Sequence, residues 1–252
     1  MMKLRADDPL ATFLNDAIRT GDLPYLKRLL AENPGLASAR ISDDTRTRTP
    51  LHAATDWPVH FPNGPAVVTV LIEAGADPNA SCERTSYVQT PVHCVASNDD
   101  VEVFEVLIKA GADLVALGKS IRGATPLDNA VGYRQWNVAH RLVESGARTK
   151  LWHAAALGLM ARVKEYFAGD SLPSRDEVSA AFYQAYHGGQ SQAAEYLLER
   201  AADINWTSAC TEERTPLGTA GTDDSAIRWR PLAADLITWL ISRGGKSGSQ
   251  LR

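Results

Sequence analysis

Six histidines and thirty carboxylates give this chain the raw material for acid–base chemistry, so the first question is which of them the spacing leaves available. His52 and His93 each stand three residues after a threonine, in Thr49-Pro50-Leu51-His52 and Thr90-Pro91-Val92-His93. There an imidazole can return a hydrogen bond to the residue that starts a helix, which reads as turn-locking rather than catalysis. A second set is freer. Asp56, Ser97, Asn98, Asn129, His153 and His187 fall on one face of successive helices, and Trp57, His60, Phe61, Tyr133, Trp136 and Trp229 come from turns at one edge. Arched together, these aromatics could roof a cavity with a histidine and a carboxylate at its floor, a place for a small molecule and for proton transfer. Neither a nucleophile motif nor a metal-ligand spacing supports such chemistry. Gly244-Gly245-Lys246-Ser247 has the letters of a phosphate loop but no strand before it.

The elements that would hold these residues announce themselves by repetition. Thr-Pro recurs at Thr49-Pro50, Thr90-Pro91, Thr125-Pro126 and Thr215-Pro216. Threonine can accept a first-turn N–H, and proline suits the first helical position because its missing N–H needs no partner there. Helix ends recur as Ala74-Gly75-Ala76-Asp77, Ala110-Gly111-Ala112-Asp113 and Ser145-Gly146-Ala147, each preceded by an apolar pair: Leu71-Ile72, Leu107-Ile108, Leu142-Val143. The first three threonine landmarks are 41 and 35 residues apart, and the last gap of 90 leaves room for two degenerate copies.

A period near 33 with Thr-Pro-Leu-His resembles the ankyrin repeat. The resemblance implies an all-α fold, an ankyrin-repeat solenoid of about seven helix-turn-helix units with projecting loops or hairpins. We read one array over residues 1–252, with repeats at approximately 10–39, 47–80, 88–117, 123–148, 149–172, 176–205 and 213–244, the first and last acting as caps. The first copy lacks Thr-Pro and centres on Thr12 to Thr20. The link after Arg148 is cut short, so the hairpin there is nearly absent and Trp152 takes the usual histidine slot. Residues 244–249 read as a frayed tail. Two inter-helix turns, 56–65 and 222–230, are longer than the repeat needs, and such insertions are candidate functional additions.

The resemblance further implies binding of a protein partner through the concave first-helix face and the loop tips. Residues expected there are Asp56, Trp57, His60, Ser97, Asn98, Asn129, Tyr133, Trp136, His153, His187, Asp223 and Trp229. Loop tips carry Arg46, Arg48, Glu83, Arg84, Lys119, Arg122, Glu212, Glu213 and Arg214, whose mixed signs suit specific protein contacts. The alternative is the small-molecule or catalytic pocket beneath the two long turns. No cofactor or metal is expected.

Composition narrows the setting. A net charge of −4 on 252 residues supplies no field for nucleic acid. No apolar run reaches membrane-spanning length, and Met1 to Asp8 lacks the apolar core of a secretory signal. Cys82, Cys94 and Cys210 are widely spaced, which suits reduced thiols in a cytoplasm. Abundant alanine, with arginine favoured over lysine, points to a bacterial source. The expectation is a cytoplasmic monomer.

Overall fold

The computed structural model of the chain describes residues 1–56, 60–84, 87–118, 124–207, 215–220 and 234–251. It divides into two compact units, 1–148 and 149–252. The division follows Arg148, where the sequence shortens the link between copies.

Thr-Pro does start helices here, and many of them are too short to stand alone. In the first unit the pairs are α1 (Pro9–Thr20) with α2 (Leu23–Glu32), α3 (Pro50–Thr55) with α4 (Gly64–Glu73), α5 (Pro91–Ala96) with α6 (Val101–Lys109), and α7 (Pro126–Gly132) with α8 (Trp136–Glu144). First helices stack on first helices, α1 on α3 on α5 on α7, and second helices on second helices, α2 on α4 on α6 on α8. The seam between the layers is apolar: Leu51, Val92 and Leu127 from the Thr-Pro phrases meet Leu71, Leu107 and Leu142 from the helix ends, all buried. Gly75, Gly111 and Gly146 close the second helices with φ of 94°, 84° and 99°. Gly21 has a stricter duty. It turns at φ 66°, and a Cβ there would lie 2.1 Å from the carbonyl oxygen of Pro62.

The hairpins of this unit are joined to one another. Strands β1 (Lys3–Arg5), β2 (Arg40–Ser42), β3 (Arg46–Arg48), β4 (Cys82–Arg84) and β5 (Tyr87–Gln89) form one sheet in that order. β1 pairs parallel to β2, and the other neighbours are antiparallel, with Arg46 opposite Arg84 and Thr47 opposite Glu83. Sequence patterning gives no sign of β1, whose three residues are too few to show alternation.

The second unit holds α9 (Leu151–Ala156), α10 (Met160–Glu165), α11 (Arg175–His187), α12 (Ser191–Leu198), α13 (Pro216–Ala220) and α14 (Ala234–Ser242). Its core gathers Leu151, Val163, Phe182, Tyr186, Leu197 and Leu240. With the four pairs of the first unit, this makes seven helix pairs among the described residues, an all-α repeat fold as the sequence predicts.

Three local readings are corrected. The first helix starts at Pro9, capped by Asp8, whose carboxylate accepts the N–H of Leu10; Asp-Pro does here what Thr-Pro does elsewhere. The histidine slot of the fifth copy belongs to His153 and not to Trp152, because Lys150 is the N-cap and its N–H donates to His153 Nδ1 at 3.0 Å. The segment after Gly244 is tied down. Lys246 N–H donates to Asn205 at 2.7 Å and Thr215 Oγ1 donates to the Lys246 carbonyl at 2.6 Å.

Candidate functional site

The residues singled out from sequence are best understood by asking what each already holds. His52 accepts from the N–H of Thr49 at 3.3 Å through Nδ1, which also lies 2.8 Å from Thr49 Oγ1. Its Nε2 reaches the carbonyl oxygen of Gln89 at 3.0 Å, in the strand before the next Thr-Pro. His93 repeats the pattern with Thr90 and with the Ala124 carbonyl at 3.1 Å. An accepting Nδ1 and a donating Nε2 fix the neutral tautomer. Burial pushes His52 down to about 4, against the opposing pull of the Gln89 carbonyl, and lowers His93 in the same way. These rings lock the turn, as their spacing suggests, and they also bolt each copy to the next. Asp128 fills the slot in the fourth copy, where its carboxylate accepts the N–H groups of Ala124 and Thr125 at 3.0 Å.

The polar residues of the first-helix face are drawn into the same framework. Ser97 Oγ donates to the His93 carbonyl at 2.9 Å. Asn98 Nδ2 donates to the Thr55 carbonyl of the preceding copy at 2.9 Å. Asn129 is fully buried and donates toward Ser97 Oγ at 3.3 Å. Asp56 caps the end of α3 and accepts from Arg46 Nη1 at 3.1 Å. Apart from the local Ser97–His93 bond, their partners belong to other helices and strands, which is why sequence spacing could not reveal these commitments.

The turns supply what the helices do not. His60 is exposed in a left-handed conformation, with Nδ1 3.8 Å from Asp100 Oδ2. Tyr133, at the end of α7, keeps 37% of its surface exposed, and Trp136 opens α8 half-buried. In the second unit His153 and His187 are both buried, and the His187 ring lies 4.3 Å from that of Tyr183. Trp57, Asp223, Trp229 and the turn 222–230 lie outside the described residues, as do Lys119, Arg122 and Glu212 to Arg214. A groove of about 490 Å³ occurs elsewhere, against the second helices. Leu30, Pro34, Ala37 and Val70 line it, with Lys27 and Glu73 at its rim. Among the described residues no group of histidine, cysteine and carboxylates is arranged to hold a metal ion.

Such a frame, with capped short helices, linked hairpins and two helix layers, has a counterpart among known families. A family model for ankyrin repeats, in three copies, matches residues 59–152. Residues 59–152 of this chain are thus similar to ankyrin repeats, in keeping with the helical repeat fold. Repeats of this kind are, as a class, protein–protein interaction modules. No curated protein matches the chain.

Proposed function

We propose that this protein is a non-catalytic interaction module that recognises a protein partner through the concave first-helix face and the adjoining turns and hairpins. One observation supports it above the rest. On that face His52 and His93 are buried and committed to the fold, while Tyr133 is exposed and Trp136, Arg46 and Arg48 are half-buried in the adjoining turns and hairpins. Those three types anchor interfaces, offering large contact area or forked hydrogen bonding at modest entropic cost. The partner contacts run through Asp56, His60, Tyr133 and Trp136 of the first unit. We place the protein in a bacterial cytoplasm as a monomer. No helix among the described residues is long and apolar enough to cross a membrane.

The test is affinity capture with the purified full chain as bait. Tyr133→Ala combined with Trp136→Ala should lower partner recovery at least tenfold. Lys27→Glu, at the rim of the second-helix groove, should leave it unchanged. If Lys27→Glu abolishes recovery while the aromatic double variant retains it, the partner binds the other face and the proposal fails.

A further inference from the structure

The first two copies carry a cluster of arginines that the fold itself does not use up. Arg46 and Arg48 are two apart on β3 and so share one face of the strand. Ser42 and Thr47 take the other face and lie 3.0 Å apart through their hydroxyls. Arg46 is fully engaged: its guanidinium holds Asp43 at 3.3 Å and Asp56 at 3.1 Å, and its side chain is only 22% exposed. Arg48 is not. It is half-buried beside Ile41, its cross-strand neighbour, and among the described residues its guanidinium makes no hydrogen bond and no ion pair. Arg19 is a further cation whose charge acts on Arg48. It stands two residues before left-handed Gly21, as Ser97 stands two before left-handed Asp99, so it occupies the first-helix face of its copy. Burial lowers the pKa of Arg48 most, and the charges of Arg46 and Arg19 lower it further, with Asp56 and Asp43 opposing. Arg46 and Arg48 thus share one strand face within the field of Arg19, where Arg46 already holds two carboxylates.

A half-buried guanidinium with no protein acceptor among the described residues leaves its forked donors to solvent, where an incoming carboxylate can replace water. Arg46 shows what this patch accepts, since both of its partners are carboxylates. The chain as a whole carries −4, so the patch runs against the bulk charge and does not reflect a generally basic surface.

Resting on the proposed interaction face, we propose that Arg48, flanked by Arg19 and Arg46, receives a carboxylate from an acidic segment of the partner protein. The fork of the guanidinium gives a two-point grip on a carboxylate that lysine could not reproduce.

The probe is a fluorescein-labelled ten-residue peptide of alternating Glu and Ala with an amidated C-terminus, titrated with the full chain and read by anisotropy. Expected are saturable binding that weakens with salt, no binding of the matching Gln peptide, and a loss of at least tenfold in Arg48→Gln. Arg48→Lys should recover only part of the affinity. Arg19→Gln, at an exposed position that cannot unfold the protein, should cost severalfold, and Lys164→Gln nothing. Equal binding by wild type and Arg48→Gln would overturn the assignment. So would the absence of binding by wild type, or tighter binding of a single-stranded oligonucleotide of equal charge. Failure here is separable from failure of the interaction face. If Arg48→Gln leaves partner capture intact while the Tyr133 and Trp136 double variant abolishes it, the face stands and the carboxylate site does not.

Discussion

The two units solve one problem with different chemistry. Every short first helix begins with an N-cap whose own N–H needs an acceptor. In the first unit that acceptor is His52, His93 or Asp128; in the second it is His153 for Lys150 and Glu177 for Ser174, the latter at 2.8 Å. Thr215 departs further, with its hydroxyl accepting from Gly218 at 3.0 Å and donating to the tail. The slot therefore requires hydrogen-bonding capacity and not histidine as such. What histidine adds in the first unit is the second nitrogen, which reaches the strand or loop ahead of the next copy. The second unit has no strand among its described residues. It is filled instead by large side chains, with Phe182 and Tyr186 fully buried and Gly188 so close to Ala156 that a Cβ would lie 2.0 Å from its carbonyl oxygen. The first unit is a polar ladder over a mostly aliphatic seam in which Phe104 is the buried aromatic; the second adds Phe182 and Tyr186 to an aliphatic core.

The sharpest way to break that contrast is to remove an aromatic from the second unit. Phe182→Ala should cost about 3–5 kcal/mol, the range for emptying a buried aromatic site. Urea unfolding followed by circular dichroism reads it directly. A loss below about 1 kcal/mol would mean that the aromatic cluster is incidental to stability.

The first unit should respond to acid where the second unit's aromatics do not. Below the ordinary histidine value of 6.5 the unfolded chain takes up a proton at His52, but the folded chain resists until about pH 4. Stability is therefore full above about pH 6.5 and falls as the pH drops toward 4. The loss from this one ring is on the order of 3 kcal/mol. His93 adds in the same direction. His52→Gln, which cannot titrate, should be less stable at neutral pH and should show a shallower decline between pH 6.5 and 4. An unchanged slope in that variant would show that the acid response lies in other groups.

How much of this was legible beforehand follows the range of the interactions. Thr-Pro starts and glycine stops are local, since each depends on φ and on a first-turn N–H within three or four residues, so the helix pairs could be read directly. The His52 cap was legible for the same reason, but its bond to Gln89 spans 37 residues and was not. Lys150 hid the fifth cap because lysine offers none of the usual capping oxygens, so the register slipped by one and His153 was placed on the open face. The candidate site suffered most. Ser97, Asn98 and Asn129 look like free recognition groups in a string of letters, and only the packing shows that neighbouring helices already occupy them. Arg48 was legible merely as a charged tip residue. That among the described residues it has no hydrogen-bond or ion-pair partner while Arg46 has two is a fact of three dimensions.

The finest test asks whether the units differ where their sequences agree. Both contain Asp-x-Asn after a second helix, at Asp77-Pro78-Asn79 and Asp203-Ile204-Asn205. In both, the aspartate accepts the asparagine N–H at 2.8 Å and the asparagine side chain reaches the following copy. Asn79 accepts from Asp113 N–H at 2.7 Å and donates to the Gly111 carbonyl at 3.0 Å. Asn205 accepts from Lys246 N–H and donates to the Gly244 carbonyl at 3.3 Å. Each is a pair of exposed hydrogen bonds for which water can substitute, so Asn79→Ala and Asn205→Ala should each cost only about 0.5–1 kcal/mol. Equal costs would mean that the clasp works by the same local chemistry in both units. The clasps differ in what they join. Asn79 links segments already held by the helix layers and by His93, whereas Asn205 and Thr215 are the described bonds that hold the chain end onto its repeat. Hydrogen exchange at the Lys246 amide separates these cases. If Asn205→Ala speeds that amide by tenfold or more while Asn79→Ala leaves the Asp113 amide little changed, the clasp fastens the end of the chain rather than the core of the repeat.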